Sequence, residues 1–398
     1  MNSHATLARR LAPWALALLA TACGGGGGGI SGTGASMGTL KFALTDAPAC
    51  GFDAVNVTIE KVRVHQSASV EDENDAGWVD VPVTDVRKVD LLSLTNGVLE
   101  ELGQTSLPAG KYTQLRLVLS DNQGQPLANS VVPTGSTETE LHTPSGQQSG
   151  LKINVDIDVP EGQIADFVLD FDACKSVVTA GNSGRYNLKP VLTAIPRLSD
   201  AGMRVIGYVD EAMATSGTTI SLQSDGVVVK ATPPVADGAN KGQFVLYPVP
   251  TGDYDLVVTA AGRVTAVMTG VPVVAEAYTY VNSEALRIDP PASTERTASG
   301  AITPHDGTVR ALQTLTGGPT IEVAWGPVDA DTGEFSVALP AGAPVKTSYV
   351  ANPAALNFQA DSAAAARYVL EAAAGGVTKT LDANLTSADA TGLDFVFP

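Results

Sequence analysis

AVNVTIEKVRVH, residues 54–65, alternates apolar and polar side chains at a period of two, the pattern of a strand with one buried face and one wet face. Val55, Val57 and Ile59 keep one parity and Val62 and Val64 the other, so one extra residue has to be absorbed between them. This predicts a β-bulge near Glu60-Lys61. The same period runs through TLKFALTD (39–46), QLRLVLS (114–120), LKINVDIDV (151–159) and DFVLDFDA (166–173). Only VDLLSLTNGVLEELG (89–103) is expected to be helical in part, with a glycine stop.

Working outward, residues 38–197 form one β-sandwich, closed by Pro196. A second sandwich occupies 203–288, opening with RVIGYVDE, and a third occupies 300–398. IDPPASTERTAS supplies a Pro/Ser/Thr linker over 289–299. A turn recurs as LPAGKY (107–112), VPTGDY (249–254) and LPAGAP (339–344), and Gly242-Gln243-Phe244 is echoed by Gly333-Glu334-Phe335 ahead of the last two. This is a weak internal repeat of a β-sandwich. The Tyr of the turn drops into the core with its hydroxyl on backbone, as in a tyrosine corner, which makes Tyr112 and Tyr254 core residues. The expected fold is therefore all-β, three Ig-like or transthyretin-like sandwich domains in tandem behind a signal peptide and a glycine tether.

The leader sets the compartment. Arg9 and Arg10 precede an apolar run, Leu11 to Leu19, that is too short to cross a bilayer, and the small residues Ala20-Thr21-Ala22 fit signal-peptide cleavage after residue 22. ATAC (20–23) resembles the bacterial lipobox, which implies lipid on the Cys23 thiol. Residues 23–37, with six glycines from Gly24 to Gly29, then form a flexible tether. By resemblance to the sorting rule of Gram-negative lipoproteins, Gly24 points to the outer membrane or cell surface. The 398 residues carry 24 Lys and Arg against 42 Asp and Glu, a net charge of −18. Such a field excludes nucleic acid as a partner and leaves the membrane, through the lipid, and a glycan or envelope protein. Two further cysteines in an exported chain, Cys50 and Cys174, suggest one disulfide.

LTDAPACGFDAVNVTIEKVRVHQS, GWVDVPV, VDLLSLTNG, LPAGKYTQLRLVL, SGLKI, LDFDACKSVV and YNLKPV together resemble the bacterial family called domain of unknown function 4382. The resemblance implies an extracytoplasmic, usually lipid-anchored β domain without an established activity. GYVDE and GQFVLYPVPTGDYDLVVTAAGRV are similar to the carboxypeptidase regulatory-like, transthyretin-like sandwich, a fold often grouped with carbohydrate-binding-like domains. The third unit resembles a diverged copy that lacks the Tyr of the turn.

Catalytic patterns are thin. The sequence after residue 22 has no Gly-x-Ser-x-Gly elbow, and His65, His142 and His305 have no ligand spacing and are expected at the surface. Calcium is the inorganic ligand that the carboxylates would suit. DENDAG (72–77) and DADTGE (329–334) nevertheless fail the EF-hand pattern and suit Asp-rich turns. Asn154, Asp156 and Asp158 share one strand face, as do Asp166, Asp170 and Asp172. If those strands pair, a cation or Lys175 and Lys189 would relieve the repulsion, although plain solvation is the favoured expectation and no cofactor is required. A glycosidase or accessory hydrolase, the alternative function, would need paired carboxylates in an aromatic-lined cleft, and only Trp78 and Trp325 follow the leader. For glycan binding without catalysis the candidates are Tyr278 and Tyr280, on one strand face, with Asn282 on the same parity; packing on the core is the competing expectation. The sequence thus favours a non-catalytic envelope lipoprotein bearing binding or spacer modules, with a purely structural spacer as the third alternative.

Overall fold

The computed structural model describes residues 36–46, 51–143 and 150–398. The leader, Cys23, the glycine run and Cys50 lie outside the described residues. Ser36–Pro398 forms one compact unit, built almost wholly of strands. No helix among the described residues is long and apolar enough to cross a membrane.

The first sandwich packs a four-stranded sheet on a nine-stranded one. In the first, Leu192–Pro196, Ile164–Phe171, Met37–Asp46 and Glu100–Pro108 lie in that order. Phe52–His65 runs through the second sheet and shifts register against Gly110–Leu119 between Ile59 and Lys61. The extra residue there lets Val55, Val57, Ile59, Val62 and Val64 all be buried. The expected helical segment is different: a single 3-10 turn, Leu91–Ser93, lies between strands Lys88–Asp90 and Glu100–Pro108. Leu91 and Leu94 both enter the core, a spacing that one turn satisfies. Asn96 and Gly97, with φ of 56° and 79°, then turn the chain away.

The second sandwich faces Gln243–Leu246, Arg204–Tyr208 and Tyr278–Tyr280 against a six-stranded sheet. Two strands of that larger sheet come from beyond the expected boundary. Val345–Ser348 pairs in parallel with Ala266–Val273, and Gln359–Ala360 pairs with Val345–Ser348. The third segment thereby covers an edge that the second would otherwise leave open. The third sandwich keeps Glu334–Pro340, Glu295–Thr303 and Phe395–Val396 in one sheet, and Thr320–Gly326, Thr308–Thr314, Arg367–Ala374 and Val377–Asn384 in the other. The expected linker over 289–299 therefore ends inside a strand. Its Ser and Thr are β-compatible, and only Pro290-Pro291 interrupts pairing. Leu256 and Val258 fill the core of the second sandwich while Val257 and Val267 enter that of the third. An apolar run buried on both faces does this.

The repeated turns are tyrosine corners. Tyr112 donates its hydroxyl to the Pro108 carbonyl at 2.8 Å, and Tyr254 donates to Pro250 at 2.9 Å. In the third unit the turn has no Tyr, but Tyr368, from the strand Arg367–Ala374, donates to Pro340 at 2.5 Å. The echoed glycines are equivalent as well. The carbonyls of Gly242 and Gly333 accept from Val209 N and Ile302 N, at 2.8 and 2.9 Å, and Phe244 and Phe335 are buried beside them.

Candidate functional site

Exposed or half-buried aromatics lie beside charge at an edge strand and in a cleft between sandwiches. The first is the edge strand Tyr278–Tyr280. Thr279 is buried and donates to the Pro272 carbonyl, while Tyr278 and Tyr280 stand outward at 42% and 50% exposure. Both are therefore free of the core. Their rings are 6.5 Å apart with planes at 60°. Register places Arg204 beside Tyr278, and the Arg204 guanidinium lies 5.1 Å from the Tyr278 ring and 4.2 Å from that of Tyr247. Tyr247 is buried and donates its hydroxyl to Asp200 at 2.8 Å. Burial and the Asp200 carboxylate push its pKa up to about 12. A row of Tyr280, Tyr278, Arg204 and Tyr247 results, with cation–π contacts fixing the guanidinium.

Asn282 does not belong to this row. It is buried, its Oδ1 accepts from Tyr208 N at 2.8 Å and its Nδ2 donates to the Tyr208 carbonyl at 2.7 Å. The strand ends at Tyr280, so the parity that would turn Asn282 outward is lost, and the side chain substitutes for a ladder bond. Arg204 escaped the sequence reading because it lies on a neighbouring strand; Tyr247, which the sequence places just before Pro248, follows the strand Gln243–Leu246 and joins the row through Arg204. The available signal was an Arg opening the strand Arg204–Tyr208 on an otherwise apolar face.

Asp156, Asp158, Asp170 and Asp172 are not brought together. Leu151–Val159 pairs with Gly110–Leu119, and Ile164–Phe171 pairs with Met37–Asp46 and Leu192–Pro196 in the other sheet. Asp156 and Asp158 are exposed, and Asp156 takes Lys111 at 3.0 Å. Asp170 is buried against Lys230 of the second sandwich. Asp172 caps the short helix Ala173–Ser176 by accepting from Lys175 N at 3.0 Å. Among the described residues no group of three or more His, Cys, Asp or Glu is placed to hold a metal ion. His65 also departs from expectation: it is buried, 5.1 Å from the Trp78 ring and 3.2 Å from Asp75. Cys174 carries no free thiol.

The second place is a cleft of about 360 Å³ where the three sandwiches meet, lined by Phe52, Asp172, Lys175, Ser221, Glu322 and Trp325 among others. Lys175 Nζ lies 2.9 Å from Glu322 Oε1, 3.8 Å from Asp172 Oδ2 and 5.0 Å from the Trp325 ring. Glu322 also takes Arg310 at 3.3 Å. Burial pushes Asp172 up to about 6, against the opposing pull of Lys175. Two carboxylates thus share a cleft, but Lys175 stands between them, where hydrolysis would require a sugar and a water.

The fold and these sites define an all-β protein of interlocked sandwiches with a wet aromatic edge. Residues 37–190 match the family described as Domain of unknown function (DUF4382). No curated protein matches the chain. Among solved structures, the Bacillus anthracis TIE protein aligns with 91% of this chain and 50% of its own length, at 14% identity and a TM-score of 0.18. The chain spans about half the length of that protein. A putative cell adhesion protein from Parabacteroides distasonis aligns over 87% of this chain and 82% of its own, at 12% identity and a TM-score of 0.16. BcpA, the major pilin subunit of Bacillus cereus, aligns over 91% and 98%, at 11% identity and a TM-score of 0.15. At such TM-scores the likeness carries no statement about function.

Proposed function

We propose that the chain is a lipid-anchored cell-envelope protein whose body binds oligosaccharide without altering it. The observation that carries this reading is the outward pair Tyr278 and Tyr280, with Arg204 beside them. The apolar face of a sugar stacks on such rings, and a guanidinium donates to its hydroxyls or to an acidic substituent. The surface is small, so binding is weak, on the order of −4 to −5 kcal/mol. Calorimetric or NMR titration of the full chain with oligosaccharides tests it. Tyr278→Ala and Tyr280→Ala each abolish binding while the far-UV spectrum and unfolding midpoint stay unchanged. Absence of binding by the wild type would leave the spacer role, and release of shorter sugars during the titration would favour the hydrolase.

The anchor is Cys23, which takes lipid on its thiol before residues 1–22 are removed and then carries the body at the outer membrane on the tether of 23–37. Fatty-acid labelling disappears in Cys23→Ser; labelling that persists there sinks the assignment. Cys50 is the proposed disulfide partner of Cys174, to be read from an unreduced peptide digest.

A further inference from the structure

Lys230 is the polar exception in VVVKAT, the strand Val227–Thr232, and its side chain is only 2% exposed. Its Nζ lies 2.5 Å from Asp170 Oδ1, a carboxylate that is itself 10% exposed. The two residues belong to different sandwiches. Asp170 sits on the strand Ile164–Phe171, which has a neighbour on each side, and Lys230 on the edge strand Val227–Thr232, paired with Thr218–Ser224. A second carboxyl, that of Asp46, adjoins them. The Asp46 backbone carbonyl accepts from Lys230 Nζ at 3.4 Å, its Oδ1 accepts from Ala173 N, and its buried Oδ2 has no hydrogen-bond partner. Burial pushes the Asp46 carboxyl well above the usual range.

We propose that Lys230 and Asp170 condense into an amide that joins the first and second sandwiches covalently. A buried ion pair holds two desolvated charges, and an amide holds none. In the proposed step the ammonium first passes one proton to the carboxylate across this contact, giving an amine and a carboxylic acid. The amine nitrogen then bonds to Asp170 Cγ, the Cγ–OH bond breaks, and the hydroxyl leaves as water with a second proton from nitrogen. One ammonium and one carboxylate give one amide and one water, with no oxidant or activated co-reactant. Fixed strands supply the proximity that this otherwise slow step requires. Asp172 and Ala231, sequence neighbours of the reacting residues, line the junction cleft, which offers the released water a way out.

The test is a peptide map of the full chain by mass spectrometry. In the wild type, trypsin fails to cut after Lys230, and a branched peptide appears that joins Lys230 to the Asp170 segment and is lighter by one water than the two parts. The branched peptide is absent from Lys230→Arg, which keeps the charge, and from Asp170→Ala. Asp170→Asn yields the same branched peptide by loss of ammonia. Recovery from the folded wild type of two separate peptides, with Lys230 and Asp170 unmodified, overturns the proposal and leaves a plain buried ion pair. That reading holds whether or not the variants fold.

Discussion

The hydroxyl of Tyr368 meets the Pro340 carbonyl from a strand 28 residues away, where Tyr112 and Tyr254 reach their carbonyls from four. The third turn has lost its local Tyr, and the orphaned carbonyl is satisfied through space. Tyr368→Phe leaves that acceptor buried and unpaired, a loss of about 1–3 kcal/mol; urea unfolding should show a lower midpoint with an unchanged slope. Asp172 makes a pH-dependent prediction. Its carboxyl stands at about 6 in the folded chain against 3.8 for the free group, raised mainly by burial. Between those values the folded state binds more protons than the unfolded one, so this group's contribution to stability falls as pH rises from about 4 to 6 and is flat above. Asp172→Asn removes the dependence. Relative to the wild type, the variant therefore gains stability across that interval, on the order of 2–3 kcal/mol, and urea midpoints at stepped pH check it. A difference that stays constant with pH would refute the assignment.

At the scale of elements, period-two alternation made most strands legible, because burying one face of a sheet imposes that pattern wherever the other face is wet. The bulge at Glu60-Lys61 was visible for the same reason: a change of parity has one mechanical remedy. Pairing partners were not visible. Leu151–Val159 and Ile164–Phe171 are successive strands with matching acidic faces, yet they belong to opposite sheets, and alternation alone does not say which sheet a strand joins. Half of the proposed glycan site was legible on the same grounds. The outward parity of Tyr278 and Tyr280 is local, whereas the position of Arg204 depends on a parallel pairing across more than seventy residues. The GQF and GEF echoes were legible because each needs glycine. Gly242 has φ of 83°, and a Cβ there would fall 2.5 Å from the Val209 carbonyl oxygen; Gly333 has φ of 73°, with Ile302 O at 2.3 Å. Gly242→Ala and Gly333→Ala each therefore combine backbone strain with a contact against strand backbone, costing at least about 1–3 kcal/mol. Thermal unfolding of the two variants should show losses of similar size, as equivalent positions of one repeated motif require.

Across the whole molecule, three sandwiches meet on one residue. Glu322 belongs to the third; its carboxylate takes Lys175 of the first and Arg310 of the third, and its backbone pairs with the amide of Gln223 of the second, donating to Oε1 at 2.7 Å and accepting from Nε2 at 2.8 Å. A fourth contact ties the first sandwich to the third at the rim, where Asp329 Oδ2 accepts from Gly181 N at 2.8 Å. With a strand of the third segment also built into the second sheet, these bodies lack separate boundaries, and the wild type is expected to unfold in one calorimetric transition. Removing the carboxylate in Glu322→Ala leaves Lys175 and Arg310 short of a partner in a half-buried place. Breaking such a pair costs about 3–5 kcal/mol, and the lower end applies here because Lys175 retains Asp172 and Arg310 retains Glu371 at 2.6 Å. The loss falls on the junction rather than on any one core. The first sandwich, with its own large cluster, should then unfold apart from the second and third, which remain joined by Val345–Ser348, although the Lys230–Asp170 link still tethers it to the second. Scanning calorimetry of Glu322→Ala should resolve two transitions where the wild type has one. A single transition shifted down as a whole would show that the sheet-to-sheet contacts, and not this ion cluster, couple the three.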